Sequence, residues 1–155
     1  MNKTVMAMVA LAGTGYGVYR WQSSDAPPPA TTQDSVSVTD RLWIDHIPRG
    51  ERDVIQIFAA ITEEPMGVFQ AASRWKGEFE LFRYEQHDGE LRVIFPQTGT
   101  RDRVRAKATE CNRNGMDYCL ELEGSSRGVK RYYSREGWEI GSVRDIDTLT
   151  QKLAQ

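Results

Sequence analysis

Short segments rich in β-branched and aromatic residues alternate with turn residues along residues 41–134, and this alternation constrains the fold more than any other feature. The segments read RLWIDHI, VIQIFAAI, GVFQAA, EFELFRYE, LRVIFP, RVRAKATEC, DYCLELE and GVKRYYS. The stretches between them, such as PRGERD, TEEP, HDGE and QTGT, supply the glycine, proline or aspartate that a chain reversal needs. Short strands joined by short turns predict an antiparallel meander.

The residue pattern specifies the register of the fourth and fifth segments. Asp88 and Gly89 are typical of a two-residue turn. Placing them there sets apolar side chains opposite each other on one face and an acid opposite a base on the other. The predicted pairs are Phe82 with Phe95, Tyr84 with Val93 and Glu85 with Arg92.

The sixth and seventh segments form a second predicted hairpin, with residues 114–116 as a three-residue loop. The predicted pairs are Cys111 with Cys119, Thr109 with Glu121, Lys107 with Glu123 and Ala108 with Leu122. Directly opposed residues of an antiparallel pair have Cα atoms about 4.5 to 5.5 Å apart, and a disulfide needs about 4.4 to 6.8 Å. We therefore predict a disulfide between Cys111 and Cys119.

A helical period replaces the strand period at the C-terminus. The apolar residues of one helical stripe are Val143, Ile146, Leu149 and Leu153. Ser142 and Asp145 are placed before it as an approximate capping pair. Seven or eight strands and one terminal helix predict a mainly β fold, in which the antiparallel meander forms a small barrel or a strongly curved sheet.

This predicted architecture is similar to that of lipocalin-like barrels. The glycine and tryptophan of the lipocalin first strand have no clear counterpart, because RWKGEF holds both residues in another arrangement, and we assign no family. The candidate ligand-binding residues are Phe82, Tyr84, Val93, Phe95 and Leu120. A cavity among them would favour binding of a small apolar ligand, whereas a filled core would favour an interaction or structural protein.

The N-terminus has the layout of an export segment, in which Lys3 precedes an uncharged run, residues 5–19, and Arg20 ends it. This layout predicts a cleaved signal peptide or a signal anchor over residues 1–21. Aromatic residues beside Arg20 keep the anchor alternative open, with residues 5–19 in the inner membrane. A dinucleotide-binding loop is excluded, because the third glycine of GxGxxG falls at Val18 and no helix pattern follows.

The rest of the chain divides into a tether and one domain. Residues 22–40 hold three consecutive prolines and almost no large apolar side chain, which predicts a disordered tether. Residues 41–155 have the size of a single β-rich domain. A formal net charge of -2 gives no general attraction to nucleic acid, which is therefore not an expected partner.

Two basic stretches are candidate binding surfaces. Four cations, Arg101, Arg103, Arg105 and Lys107, share one strand face, but glutamates on the partner strand make cross-strand ion pairing the simpler expectation. The second stretch interleaves cations with aromatic rings that can stack on sugars or hold anionic polymers. This candidate interaction surface consists of Arg127, Lys130, Arg131, Tyr132, Tyr133, Arg135 and Trp138. A half-buried edge strand with inward tyrosines is the alternative.

Candidate catalytic residues are few. His46 and His87 lack the spacing of a metal site, so we expect neither a metal nor another cofactor. Asp45 and His46 are adjacent and could move protons, but no serine or cysteine nucleophile motif accompanies them. A hydrolase that uses this pair is the least favoured alternative.

These observations predict a noncatalytic domain of the bacterial cell envelope, exported to the periplasm or the cell surface, that binds a small apolar ligand or an envelope partner. The partner would be a protein or a polymer, and the membrane is a further partner if residues 1–21 are retained. The alternative is a structural or interaction subunit with a filled core and a basic, aromatic surface. Export to an oxidising compartment also favours the predicted disulfide.

Overall fold

Eight antiparallel strands follow one another around a closed barrel, each paired with its neighbour in sequence and the eighth with the first. The computed structural model describes residues 36–75 and 77–153. The elements are β1 (Arg41–Ile44), β2 (Ile55–Ile61), β3 (Met66–Ala72), β4 (Gly77–His87), β5 (Glu90–Ile94), β6 (Arg101–Arg113), β7 (Met116–Glu123), β8 (Arg131–Ser134) and α1 (Val143–Leu153). The predicted mainly β fold with one C-terminal helix is confirmed, and it is consistent with a lipocalin-like architecture.

The seam between β1 and β8 is the narrowest contact between neighbouring strands. Among the described residues, β1 and β8 pair through Ile44 and Tyr133 alone, and an isolated bridge joins Arg41 to Glu139 beyond the end of β8. By contrast, β2 and β3 pair over their full lengths of 7 residues. The barrel is therefore closed by fewer ladder hydrogen bonds than hold its hairpins.

Phenylalanine rings occupy the centre of the barrel. The rings of Phe58, Phe69, Phe82 and Phe95 are buried, and their contacting pairs have centroids 5.2 to 6.2 Å apart. This separation is typical of favourable aromatic contacts. Gly67 leaves room for one ring, because a Cβ at this position would overlap the side chain of Phe82. The interior is a packed core to which all eight strands contribute.

A second apolar cluster lies outside the barrel, where α1 covers the outward face of β1, β2 and β3. Its buried residues include Leu42, Ile44, Ile57, Ala59, Ile61, Val68 and Ile146. Because β1 and β2 are buried on both faces, VIQIFAAI is apolar at every position except Gln56 instead of alternating. The predicted capping pair starts α1, since the hydroxyl of Ser142 donates to Oδ2 of Asp145 at 2.9 Å.

The two predicted hairpins differ in outcome. The first register is confirmed, because Tyr84 pairs with Val93 and Glu85 with Arg92. The second is wrong by two residues. The observed pairs are Arg105 with Glu123, Lys107 with Glu121, Ala108 with Leu120 and Thr109 with Cys119.

The reason for the second error lies in the turn. Asn114 and Gly115 have φ angles of 57° and 72°, so they form a two-residue turn in the left-handed region in place of the predicted three-residue loop. An irregularity between Glu110 and Arg113 then shifts the ladder. This bulge brings Cys111 to Cys119 with their Cα atoms 5.7 Å apart, and the predicted disulfide is present.

The described chain begins at Val36, inside the segment predicted as a tether. The Nε1–H of Trp43 donates to the carbonyl of Val38 at 2.9 Å, and the N–H of Asp40 donates to the carbonyl of Ala60 at 2.7 Å. Residues 36–40 therefore pack against the barrel. Residues 1–35, which carry the predicted export segment and most of the predicted tether, lie outside the described residues.

Candidate functional site

The five predicted ligand-binding residues do lie together inside the barrel. Phe82, Tyr84, Val93, Phe95 and Leu120 all belong to the interior cluster. Their neighbours fill the space between them with further aromatic rings, including those of Phe58 and Phe69. The predicted cavity wall is thus a set of mutual packing contacts.

Two tyrosine hydroxyls in the interior are bonded to the backbone. The hydroxyl of Tyr84 donates to the carbonyl of Ile61 at 3.0 Å, and that of Tyr132 accepts the N–H of Val129 at 2.9 Å. Burial raises the pKa of Tyr84, and it raises the pKa of Tyr132 to about 12. Both phenols remain neutral at physiological pH, so neither adds a charge to the interior.

An ion pair covers the end of the barrel at which β3 turns into β4. The guanidinium of Arg127 binds the carboxylate of Glu80, with Nη2 and Oε1 separated by 3.4 Å. It also lies 5.0 Å from the ring centroid of Phe95. Nearby, Asp102 accepts hydrogen bonds from the N–H and the hydroxyl of Ser126 at 2.7 and 2.6 Å. Polar side chains therefore cover the aromatic core at this end.

Arg41 covers the opposite end. Its guanidinium lies 4.3 Å from the ring centroid of Tyr118, donates to the carbonyl of Arg135 at 2.8 Å and pairs with Glu139 at 2.6 Å. Its side chain is 11% exposed. Entry of a ligand at this end would have to break these contacts, which hold β1 to the segment after β8.

The predicted interaction surface, residues 127–138, does not form one patch. Tyr132 is fully buried in the interior, and Tyr133 and Trp138 pack in the cluster under α1. Arg131 faces outward and pairs with Glu121 at 2.9 Å, whereas Arg127 and Arg135 lie at opposite ends of the barrel. Lys130 is exposed in the loop before β8. The structure thus separates these seven residues.

Instead, the outward side of β4, β5 and β6 concentrates positive charge. The exposed cations, which we call the basic face, are Arg83, Arg92, Arg101, Arg103, Arg105 and Lys107. Outward carboxylates on these three strands are Glu85 and Glu90. Arg92 lies directly opposite Arg103 in the ladder, an arrangement that costs stability because like charges repel.

Ion pairing neutralises only part of the basic face. Arg92 approaches Glu90 at 3.8 Å, and Arg105 approaches Glu123 of β7 at 3.4 Å. The other four cations, Arg83, Arg101, Arg103 and Lys107, form no ion pair with any residue in 36–75 or 77–153. Glu121, the residue opposite Lys107, pairs with Arg131 instead. The expected cross-strand pairing of the β6 cations is thus incomplete.

Large apolar side chains border these cations. Ile94 is 40% exposed and lies between Arg83 and Arg101 in the cross-strand row, and Phe79 is 67% exposed two pleats before Arg83 on β4. Phe79 also lines a surface groove of about 310 Å³ between β3, β4 and α1. The groove wall includes Leu81 and Val143. Apolar and cationic side chains therefore share this side of the barrel.

His46 lies between two carboxylates in the loop after β1. Its Nδ1 is 2.9 Å from Oδ1 of Asp45, and its Nε2 is 3.1 Å from Oδ2 of Asp53. The N–H of Arg49, assisted by the His46 ring, holds the pKa of the Asp53 carboxyl below its ordinary value. With both ring nitrogens within hydrogen-bond distance of carboxylates, the imidazole ties the loop together.

Residues 36–75 and 77–153 also bear on metal binding and on membrane crossing. They contain no group of three or more histidine, cysteine or acidic side chains arranged to hold a metal ion. No helix in these ranges has the length and apolar character to cross a membrane. Comparison of the chain with known protein families, curated proteins and solved structures finds no match.

Proposed function

We propose that this chain is a noncatalytic domain of the bacterial cell envelope that binds a partner through the outer surface of a filled barrel. Residues 1–21 would export it to the periplasm or the cell surface, and the following residues would carry the domain at a distance from the membrane. The function corresponds to an interaction or structural subunit, not to a carrier that encloses a ligand.

The observation that carries this proposal is the packing of Phe58, Phe69, Phe82 and Phe95 at the centre of the barrel. A carrier of small apolar ligands needs a cavity that buries most of the ligand surface. Here the inward positions contact each other, and Arg127 and Arg41 lie over the two ends. The outer surface is therefore the site that remains for a partner.

A ligand experiment tests the filled interior. We expect the fluorescent apolar probe 1-N-phenylnaphthylamine to show no saturable binding to the full-length protein. The positive control is Phe82→Ala with benzene, because an apolar cavity left by a deleted core side chain binds such ligands. Benzene should raise the unfolding midpoint of Phe82→Ala and leave that of the wild type unchanged.

Two results would overturn the interaction role in favour of apolar-ligand binding. Saturable probe binding to the wild type that is lost in Leu120→Trp would place a ligand inside the barrel. Saturable binding that is instead lost in Val143→Asp would place it in the groove beside α1. Unchanged binding in the exposed Thr148→Asp variant of α1 controls for the added charge.

Export is tested separately, with a reporter enzyme fused after residue 40 that is active only outside the cytoplasm. We expect activity with the natural sequence and none with Val9→Asp, which interrupts the apolar run. Asp25→Asn is the matched control outside that run. A reporter that stays in the cytoplasm would contradict the envelope location.

A further inference from the structure

We propose that the basic face docks flat on the surface of an anionic phospholipid bilayer. This proposal rests on the proposed envelope location and adds the chemistry of the partner. The docking surface consists of the outward side chains of β4, β5 and β6, with arginines toward the phosphates and with Phe79 and Ile94 inserted between headgroups.

Positive charge is concentrated on the basic face. The whole chain has a formal net charge of -2, yet three adjacent strands expose six cations and only two carboxylates on one face. From the strand rise and spacing, this face measures about 10 by 20 Å. Positive charge on so small an area attracts an anionic surface, and each cation near such a surface strengthens binding about fivefold.

One cross-strand pair of the basic face is unfavourable for folding. Arg92 faces Glu85 on β4, but on its other side it lies directly opposite Arg103 of β6, where like charges repel. The nearest glutamates of β7 pair with Arg105 and Arg131, which leaves Arg101, Arg103 and Lys107 without an ion pair among the described residues. Residues that break a local rule of stability are expected at functional sites.

The hydrogen-bond donors of the basic face are mostly guanidinium groups. Five of the six cations are arginines, whose planar guanidinium binds two phosphate oxygens at once. Cross-strand pairing places Arg83, Ile94 and Arg101 in one row. A bilayer can satisfy all three side chains, since it offers phosphates at its surface and acyl chains just below. A soluble polyanion would contact the arginines but would leave Ile94 and Phe79 in water.

The position of the face on the barrel is compatible with this orientation. Strand β6 is four strands away from β2 in the closed barrel, so the cations of β6 face away from α1. Phe79 of β4 lies nearer to α1, because it lines the groove beside that helix. Docking through β4–β6 therefore leaves α1 beside the docking surface and not within it. The cations of α1, Arg144 and Lys152, are exposed and serve as internal controls.

The experiment measures side-chain protection in the full-length chain. Arginines are modified with phenylglyoxal and quantified by mass spectrometry, with vesicles of phosphatidylcholine alone or with added phosphatidylglycerol. Both preparations retain the same N-terminal segment, so any anchoring by residues 5–19 is common to them. We expect phosphatidylglycerol to slow modification of Arg83, Arg101 and Arg103 about fivefold or more, while Arg144 reacts equally in both. High salt should remove the protection.

Variants separate docking from a change in fold. Arg101→Gln/Arg103→Gln should weaken affinity for phosphatidylglycerol vesicles about 25-fold, from the loss of two cations, and should remove most of the phosphatidylglycerol-dependent protection of Arg83. Arg144→Gln/Lys152→Gln removes the same charge from α1 and should leave the protection unchanged. Phe79→Ser should reduce the protection, because insertion of an apolar side chain is lost. The unfolding midpoint of each variant is measured alongside.

Two outcomes would overturn the bilayer proposal. Equal modification of the basic face in both vesicle types would exclude docking. Protection by soluble heparin as strong as that by vesicles, with no effect of Phe79→Ser, would identify a polymer as the partner. Neither outcome would affect the export reporter or the probe experiment, so the proposed envelope function would fail or stand independently.

Discussion

The outward positions of β1–β3 and of β4–β6 belong to one barrel, but they carry opposite kinds of residue. On the side covered by α1 they are Leu42, Ile44, Ile57, Ala59, Ile61 and Val68. On the bare side the basic face has arginines and a lysine at the equivalent positions. Both sides share the same interior. The inward residues of a strand therefore depend on the shared core, whereas its outward residues depend on what covers the strand.

The largest expected effect concerns the shared interior. Phe82→Ala should lower the free energy of unfolding by about 3 to 5 kcal/mol, because the ring is fully buried and leaves a cavity. Urea unfolding measures the loss. Phe79→Ala, on the same strand but outward and 67% exposed, should cost less than about 0.5 kcal/mol. Similar losses of stability in the two variants would contradict the conclusion that the interior, and not the exposed outer surface, stabilises β4.

The next effect concerns the covered side. Ile146 of α1 is buried against β1–β3, and Ile146→Ala should lower the free energy of unfolding by about 3 kcal/mol. Val143→Ala is the matched control, because Val143 lies in the same helix and is 51% exposed. A loss in Ile146→Ala no greater than in the control would contradict the division into a covered and a bare side.

A smaller effect concerns the hairpin of β6 and β7, which has a disulfide but no covering helix. Cys111→Ser/Cys119→Ser should lower the free energy of unfolding by about 2 to 3 kcal/mol, since the bond closes a short loop in the unfolded chain. Dithiothreitol should lower the stability of the wild type by the same amount and leave the variant unchanged. No response of the wild type to the reductant would show that the bond contributes nothing.

The smallest effect is a pH dependence of α1. The N–H of Gly141, together with the Ser142 hydroxyl, holds the pKa of the Asp145 carboxyl below its ordinary value of 3.8. A lowered pKa in the folded state adds stability above the unfolded-state pKa, and this stability is lost as pH falls through the folded-state pKa. Helical circular dichroism should therefore decrease below about pH 4.

Asp145→Asn isolates this contribution. It should weaken α1 slightly at pH 7 and remove its share of the acid response, whereas Asp147→Asn, an exposed residue of the same helix, should behave as the wild type. An unchanged acid response in Asp145→Asn would show that the Asp145 cap does not cause the loss of helical structure in α1 at low pH.

The elements of the fold were predictable because they depend on short-range patterns. Segments rich in β-branched and aromatic residues, separated by turn residues, located the strands, and the helical stripe with Ser142 and Asp145 located α1. The register of β6 and β7 was not found, because the Asn114–Gly115 turn was read as part of a longer loop and the bulge after Glu110 has no clear sequence signal. The disulfide was predicted correctly despite the two-residue error in register, because the bulge brings Cys111 close to Cys119.

The candidate site was less predictable, for a geometric reason. Pattern alone placed Phe82 and Phe95 on an inward face but did not give the volume that their neighbours fill. Adjacent tyrosines at 132 and 133 point to opposite faces, and only the closed barrel decides which one is inside. The basic face needs the register of three strands at once. Its signal, Arg92 opposite Arg103, appears only when β5 and β6 are paired.

The narrow seam between β1 and β8 also determines how the domain responds to force. A pull on the chain before Val36 reaches β1, which meets β8 at one residue pair. Beyond that pair, Arg41 and two backbone bonds, from the Leu42 N–H to Trp138 and from the Ile140 N–H to Asp40, hold β1 to the segment after β8. The load therefore acts on a few separate contacts instead of on one long ladder. The domain should therefore yield to N-terminal tension at a lower force than its chemical stability suggests, beginning at β1 and β8, the one pair of neighbouring strands within residues 36–75 and 77–153 that no turn connects.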